Sequence, residues 1–238
     1  SRATSVYGVP VNGGPVRGIY SARFAGLDNQ GVPTFYDRDN NKVRYLQVQT
    51  SDFSDFEYSG NLEPTSNIGI NNSFKFKNLT VSALITGQFG HVKRVMQDFN
   101  YKYDDASSLS AHLKNRWRVA GDEKFTNIPA IQDKKTMKST DEVDIRRAYR
   151  LYGMSNQWIA DASFIRLKNV SVSYSLPNKW ISSIGIKTCK LSLQGTNLAL
   201  LWAKDKDKLN GEDPEFVWSG GATMPITKQY SFTLNIGL

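Results

Sequence analysis

At 238 residues, with 39% hydrophobic and 12% aromatic content, the chain has room for one large or two ordinary domains. Its net charge of +8 comes from Lys and Arg scattered among acidic residues, without a basic run or an RNA-binding signature, which argues against nucleic acid as a partner. A single cysteine, Cys189, excludes an internal disulfide and any cysteine-based metal cluster.

No run of about eighteen apolar residues is present, so a membrane helix is excluded. Strands that alternate apolar and polar residues can still cross a bilayer. The first residues, Ser1-Arg2-Ala3, carry neither an initiator Met nor a signal peptide, as expected of a processed chain or of a piece of a longer one.

Residues 1–15 are rich in Gly, Pro and Ser and read as a connector. Residues 18–26 are a strand candidate, and residues 27–67 follow as a long polar segment with turn signals. Within it, Tyr36-Asp37-Arg38-Asp39-Asn40-Asn41 resembles the start of a calcium loop. Position six is Lys42 rather than Gly and position twelve is Val48 rather than Glu, so a tight turn is expected instead.

A hairpin comes next. Ile68, Ile70, Phe74 and Phe76 share one parity, Lys77-Asn78 turns the chain, and Leu79, Val81, Ala83, Ile85 and Phe89 form the facing apolar row. Residues 91–156 read as a long, charged, irregular excursion. A helix is expected to start at Asp105, with Leu109, Leu113 and Trp117 at spacing four as its apolar stripe. His91 and His112 have no carboxylate at ligand spacing and are expected at the surface.

The segment 162–177 alternates in its second half, with Val170, Val172, Tyr174 and Leu176 opposite Ser171, Ser173 and Ser175. Ile165 and Leu167 have the other parity. The phase therefore slips near Lys168 and Asn169, which predicts a bulge, and Pro177 ends the strand. Cys189, Leu191 and Leu193 alternate with Lys190, Ser192 and Gln194. At the end of the chain Tyr230, Phe232, Leu234, Ile236 and Leu238 face one way and Ser231, Thr233, Asn235 and Gly237 the other.

The links between these strands run long, short, long, short, long: residues 27–67, 77–78, 90–161, 178–187 and 197–227. Outer-membrane barrels place long loops at one end and short turns at the other. The polar rows suit a wet lumen and the apolar rows suit lipid, with Tyr174, Trp180 and Tyr230 able to sit at the interface. The fold expected is all-β, a partial transmembrane antiparallel β-barrel. Its six or so strands cannot close a membrane barrel, for which about eight is the minimum, so they must pair with strands of the same or another polypeptide.

Four blocks of sequence carry a resemblance. They are Tyr-Ser-Ala-Arg-Phe-Ala-Gly-Leu-Asp at 20–28 with Gly31-Val32-Pro33, and Tyr58-Ser59-Gly60 with Pro64 and Asn72-Ser73-Phe74. Then come Arg116-Trp117 with Gly121-Asp122-Glu123 and Ile128-Pro129, and residues 163–177 with Gln194-Gly195-Thr196-Asn197-Leu198 and Asp213-Pro214-Glu215. In this order they resemble the C-terminal end of the SusC/RagA family of TonB-dependent outer-membrane transporters, typical of Bacteroidetes, across nearly all of residues 1–238. The family usually ends on an aromatic residue that helps assembly of the last strand; here the signal would be Tyr230, Phe232, Leu234, Ile236 and Leu238.

The resemblance implies the last strands of a barrel of about twenty-two, lacking its plug, its TonB-contact segment and its earlier strands. It further implies import of oligosaccharide or oligopeptide fragments across the outer membrane of a Gram-negative bacterium, under a SusD-like surface lipoprotein and driven by the TonB complex. The long loops would then lie outside. There Trp117, Trp202 and Trp218, with Asp205, Glu212 and Asp213, are the candidates to stack on and hydrogen-bond a substrate; folding the loops is the competing role. For Asp213-Pro214-Glu215 a turn is the simplest account.

No nucleophile triad, phosphate-cradling loop or metal-ligand cluster is present, so no enzyme and no cofactor is expected. Asp104-Asp105 and Glu212-Asp213 are adjacent pairs rather than carboxyls opposed across a sugar. The competing readings are a TonB-dependent siderophore receptor and a secreted β-sandwich that binds carbohydrate.

Overall fold

The structure, a computed structural model, describes residues 12–46, 55–95, 111–132, 142–209, 211–216 and 227–237. Most of the expected connector lies outside these residues, as do Asp104, Asp105, the start of the expected helix, Trp218 and Leu238. The strands are β1 (Gly18–Leu27), β2 (Pro33–Tyr36), β3 (Lys42–Val43), β4 (Phe56–Asn61), β5 (Ser66–Phe76) and β6 (Leu79–Phe89). After them come β7 (Val92–Arg94), β8 (Ile159–Asp161), β9 (Phe164–Ser175), β10 (Thr188–Ala203) and β11 (Gln229–Gly237). The helices are α1 (Glu142–Tyr152) and the single turn α2 (Asn178–Ile181). The chain forms two compact units, Ser1–Leu62 with Val92–Ala160, and Glu63–His91 with Asp161–Leu238.

The first unit contains a small sheet in the order β3-β2-β1-β4. The strand expected at residues 18–26 is present as β1, but it pairs with β2 and β4 here rather than in the barrel wall. Its burial explains the choice. Ile19, Ser21 and Ala22 are all buried, so neither face is left to meet lipid. Phe35, Phe56, Ala22 and the helix residues Ile145, Ala148, Tyr149 and Tyr152 make one core, and the rings of Phe24 and Tyr152 lie 5.4 Å apart.

Helix α1 falls in the segment expected to be irregular. Its buried residues Ile145, Ala148, Tyr149 and Tyr152 stand at i, i+3, i+4 and i+7, so the helical period was there to be read. The stretch around Leu113 forms a 3-10 turn, Ala111–Asn115, which ends before Trp117. Arg94 is buried beside β1 and donates to the carbonyls of Ser155 and Tyr20, each at 3.0 Å, and to Ser21 Oγ at 2.9 Å. Burial pulls its pKa down to about 10, and these acceptors are what make a buried guanidinium tolerable.

The calcium-like stretch is a tight turn between β2 and β3. Asp37 accepts hydrogen bonds from the amides of Asn41 at 2.8 Å and Asp39 at 2.9 Å, and Asn40 takes φ 63°. Those amide bonds, led by that of Asn41, hold the Asp37 carboxyl below its usual range.

The second unit is one antiparallel sheet in the order β11-β10-β9-β6-β5, a meander. Five strands pair here, against six or so expected, because β1 is elsewhere. Lys77 and Asn78 make the two-residue turn, with Lys77 at φ 50°. The register carries whole rows of side chains across the sheet. Phe74, Val81, Val172, Leu193 and Phe232 stand in one row and Phe76, Leu79, Tyr174, Leu191 and Leu234 in another. Between them run Lys75, Thr80, Ser173, Ser192 and Thr233, and on the far side of the Phe74 row run Ser73, Ser82, Ser171, Gln194 and Ser231, where Ser82 Oγ and Ser171 Oγ meet at 2.7 Å.

The slip expected near Lys168 is a bulge. Leu84 pairs with Asn169 and Ile85 with Leu167, so Lys168 has no opposite number on β6. On β10, Asn197 and Leu198 fall between partners of Asn169 and Leu167, with Asn197 at φ 55°. The extra residue puts Ile165 and Leu167 on the same face as Val170, Val172 and Tyr174. That face is continuous from one end of the sheet to the other.

Candidate functional site

The sheet of the second unit has an apolar face, a polar face and two edges, β5 and β11, that pair with no further strand among the described residues. On the apolar face Phe74 is 65% exposed and Phe232 69%, with Ile68, Ile70, Tyr230, Leu234 and Ile236 also exposed. A patch of this extent is far more than a water-facing monomer surface carries. Ser66 pairs with Phe89 and Phe164 with both Gln88 and Ala203, so both long links leave from this end. The two short links, at residues 77–78 and 176–187, lie at the other.

Near the long-link end, Arg166 projects from β9 on the parity opposite Ile165 and Leu167. Its Nη2 donates to both carboxylate oxygens of Asp213, at 2.5 and 2.7 Å. Its Nε lies 3.1 Å from Oε2 of Glu215, an ion pair by distance but not aligned as a hydrogen bond. Lys168, the bulge residue, reaches Glu215 Oε1 at 2.7 Å. The turn expected at Asp213-Pro214-Glu215 is there, with the Glu215 amide donating to Asp213 Oδ1 at 2.9 Å. Its two carboxylates do more than shape a turn: they clasp the loop to the strand. The Phe-Ile-Arg-Leu-Lys-Asn block and the Asp-Pro-Glu block are thus two halves of one contact.

Arg166 and Asp213 of the clasp also line a cavity of about 710 Å³, together with Asn197, Lys206, Glu212 and Lys228 among others. Of the residues expected to bind substrate, Glu212 and Asp213 meet here. Asp205 is turned to the chain, accepting the Asp161 amide at 2.8 Å. Trp202 pairs with Ile165 on the apolar side, its ring 6.3 Å from Phe89, in the manner of an interfacial aromatic. Sequence reasoning missed Arg166, Lys168, Lys206 and Lys228. Two cations inside an otherwise apolar and hydroxyl strand were the available signal for the first pair.

His91, expected at the surface, is 1% exposed, with its ring edge-on to Phe164 at 6.4 Å. Burial lowers its pKa and keeps it neutral. His112 is half-buried.

Trp117 belongs to the first unit. Its Nε1 donates to Glu123 Oε2 at 3.0 Å, and a Cβ at Gly31 would stand 2.5 Å from its ring, so Trp117 serves the packing of its own turn. Bonds from the Glu123 amide and the Trp117 indole hold the Glu123 carboxyl below its ordinary 4.5. A depressed carboxyl stabilises the turn above the unfolded value and loses that contribution as pH falls through the folded one. Hydrogen exchange at Gly121, corrected for intrinsic rate, should therefore stay slow from neutral pH to about 4.5 and accelerate only below it. Glu123→Gln should shrink the step.

No family model matches the chain. It is 23% identical over 182 residues to "TonB-dependent receptor P3" of Formosa agariphila, an alignment covering 75% of this chain and 15% of that protein. Its fold matches the RagAB peptide importer in the open-open state with a TM-score of 0.62 at 20% identity, covering 92% of this chain and 22% of that one. A second RagAB peptide transporter structure matches with a TM-score of 0.61 at 23% identity over 97% of this chain and 24% of that one. The chain thus spans under a quarter of the length of each of these proteins. The sequence likens the chain to part of a TonB-dependent receptor, and the fold likens it to part of the RagAB importer.

Proposed function

We propose that this chain forms part of the wall of a TonB-dependent importer in the outer membrane of a Gram-negative bacterium. In this reading it moves oligomeric nutrients, peptide or glycan, and is no enzyme. One observation carries it: the five-stranded sheet has a continuous apolar face, a hydroxyl and amide face, and raw edges on both sides. In lipid each unpaired amide costs several kcal/mol, so such edges must be joined by further strands. A secreted sandwich would instead bury the apolar face against a second sheet, leaving Phe74 and Phe232 inaccessible.

With the long links outside, the cavity beside Arg166 opens on the lumenal wall, where its mixed charges suit a zwitterionic or hydroxyl-rich cargo. Glu212 and Asp213 are the sequence candidates best placed for it. A SusD-like surface lipoprotein would cover the outer end and the TonB complex would act on a plug supplied by the rest of the transporter.

Electrophoresis of the native outer-membrane fraction, unboiled and boiled, tests the reading with an antibody against the chain. A heat-modifiable band much larger than 26.7 kDa is the expected result. A signal confined to the soluble fraction at monomer size would overturn it.

A further inference from the structure

His91 and the Asp213-Pro214-Glu215 turn both belong to the second unit, where the turn is held from two directions. Its carboxylates grip Arg166 and Lys168. Its middle residue, Pro214, is buried beside His91, and one ring nitrogen faces the Pro214 carbonyl without being aligned on it as a hydrogen bond. The two contacts share a neighbour. The Phe164 ring meets His91 edge-on, and the Arg166 guanidinium lies 5.6 Å from the centre of the same phenyl.

The backbone fixes His91 in this place. Its carbonyl accepts the Ala162 amide at 3.0 Å, and the Gly90 amide donates to Ser163 Oγ at 3.2 Å. Both ring nitrogens are closed off from water and neither has a hydrogen-bond partner. A neutral imidazole leaves one N–H unmet there; an imidazolium would leave two and add a buried charge.

The surroundings hold no acid left to balance that charge. Asp161, at the end of β8, accepts from Lys204 at 2.6 Å and from the Ser163 amide at 2.9 Å. Asp205 accepts the Asp161 amide, and Asp213 and Glu215 are committed to Arg166 and Lys168. Lys93, two residues along, adds another cation. Burial lowers the His91 pKa below its ordinary 6.5, outweighing the pull of Asp161 in the other direction. A ring so held contributes its full packing above that ordinary value and loses it as pH falls toward the folded one. The sequence has two histidines, and His112 lies in the first unit. In the second unit, His91 is therefore the side chain that ordinarily titrates between about pH 5 and 7.

We propose that His91 is an acid-sensitive latch on the Asp213-Pro214-Glu215 turn: neutral, it seats Pro214; protonated, its ring turns toward water and frees the turn from β9. Glu212 and Asp213 line the cavity beside Arg166, so the latch loosens one wall of that cavity in acid and restores it near neutrality. The latch belongs to the second unit alone and does not depend on the importer reading.

Hydrogen exchange of the amides at 211–216, corrected for intrinsic rate, tests it in the full protein between about pH 7.5 and 4. Protection should fall about threefold or more in one step, centred between about pH 5 and 6.5. Amides of β10 from Lys190 to Gly195 should show no such step. His91→Gln cannot titrate but can still donate to the Pro214 carbonyl, and it should hold protection at 211–216 flat over that window. A flat wild-type profile, protection that rises in acid, or a step that survives in His91→Gln would each overturn the latch. The same step in β10 would mean that the whole sheet loosens, and would overturn it too. Should His91→Gln not fold, the wild-type profile decides alone, because a step centred outside the window belongs to other groups and overturns the latch.

Discussion

Arg166→Ala should free the clasped loop from the strand. The side chains of Arg166 and Asp213 are 5% and 8% exposed, so removing the guanidinium leaves a buried carboxylate without the cation that holds both its oxygens. Breaking a buried pair from one side costs about 3–5 kcal/mol, most of it the desolvation of the partner left behind. Exchange of the backbone amides at 211–216 should accordingly speed up by about a hundredfold or more in the full protein. Glu215 and Lys168 are a quarter or more exposed, and Glu215→Gln should cost under about 1 kcal/mol. Replacing both buried partners, Arg166→Met with Asp213→Leu, should recover most of the loss, because no charge is then buried alone. If Arg166→Ala leaves exchange within a few-fold of wild type, the ion pairs do not hold this loop.

The second large effect separates the two faces of the sheet. Val172 stands mid-row between Val81 and Leu193 on the apolar face, while its neighbour Ser173 pairs with Thr80 and Ser192 on the polar one. An arginine on a lipid face near the bilayer centre costs about 2–4 kcal/mol, and lumenal substitutions cost little. Denaturant unfolding of the full protein in lipid vesicles should therefore show Val172→Arg strongly destabilised and Ser173→Arg within about 1 kcal/mol of wild type. Were the apolar face bathed in water, neither change would matter, and the membrane reading would fail.

The sheet of the second unit was legible because its physics is local. Strict alternation fixes which residues share a face, as in the segment from Tyr230 to Ile236, and Lys77-Asn78 marks its own turn. Even the bulge at Lys168 announced itself as a parity change. The first unit was hidden for the opposite reason. Strands β2 to β4 are short and only β2 is buried along most of its length, so β2 and β4 show no clean alternation, and β1 pairs with them rather than with the barrel strands because pairing partners are set by tertiary burial. Helix α1 was missed although its period was present. The clasp was half legible: the Asp213-Pro214-Glu215 turn could be read from sequence. That its carboxylates would meet Arg166, forty-seven residues away, could not.

The bulge in β9 bears on how such a strand tolerates change over time. A side chain's face is set by counting in twos from its hydrogen-bonded neighbours, much as a codon is set by counting in threes. Losing or gaining one residue inside β6 or β11 would act as a frameshift, exchanging every apolar and polar position beyond it. At Lys168 the count is already broken and the ladder already absorbs it. A single-residue insertion or deletion is thus least disruptive there, and lineages that differ in strand length should differ at this point, with the apolar-face order of Ile165, Leu167, Val170 and Val172 kept around it.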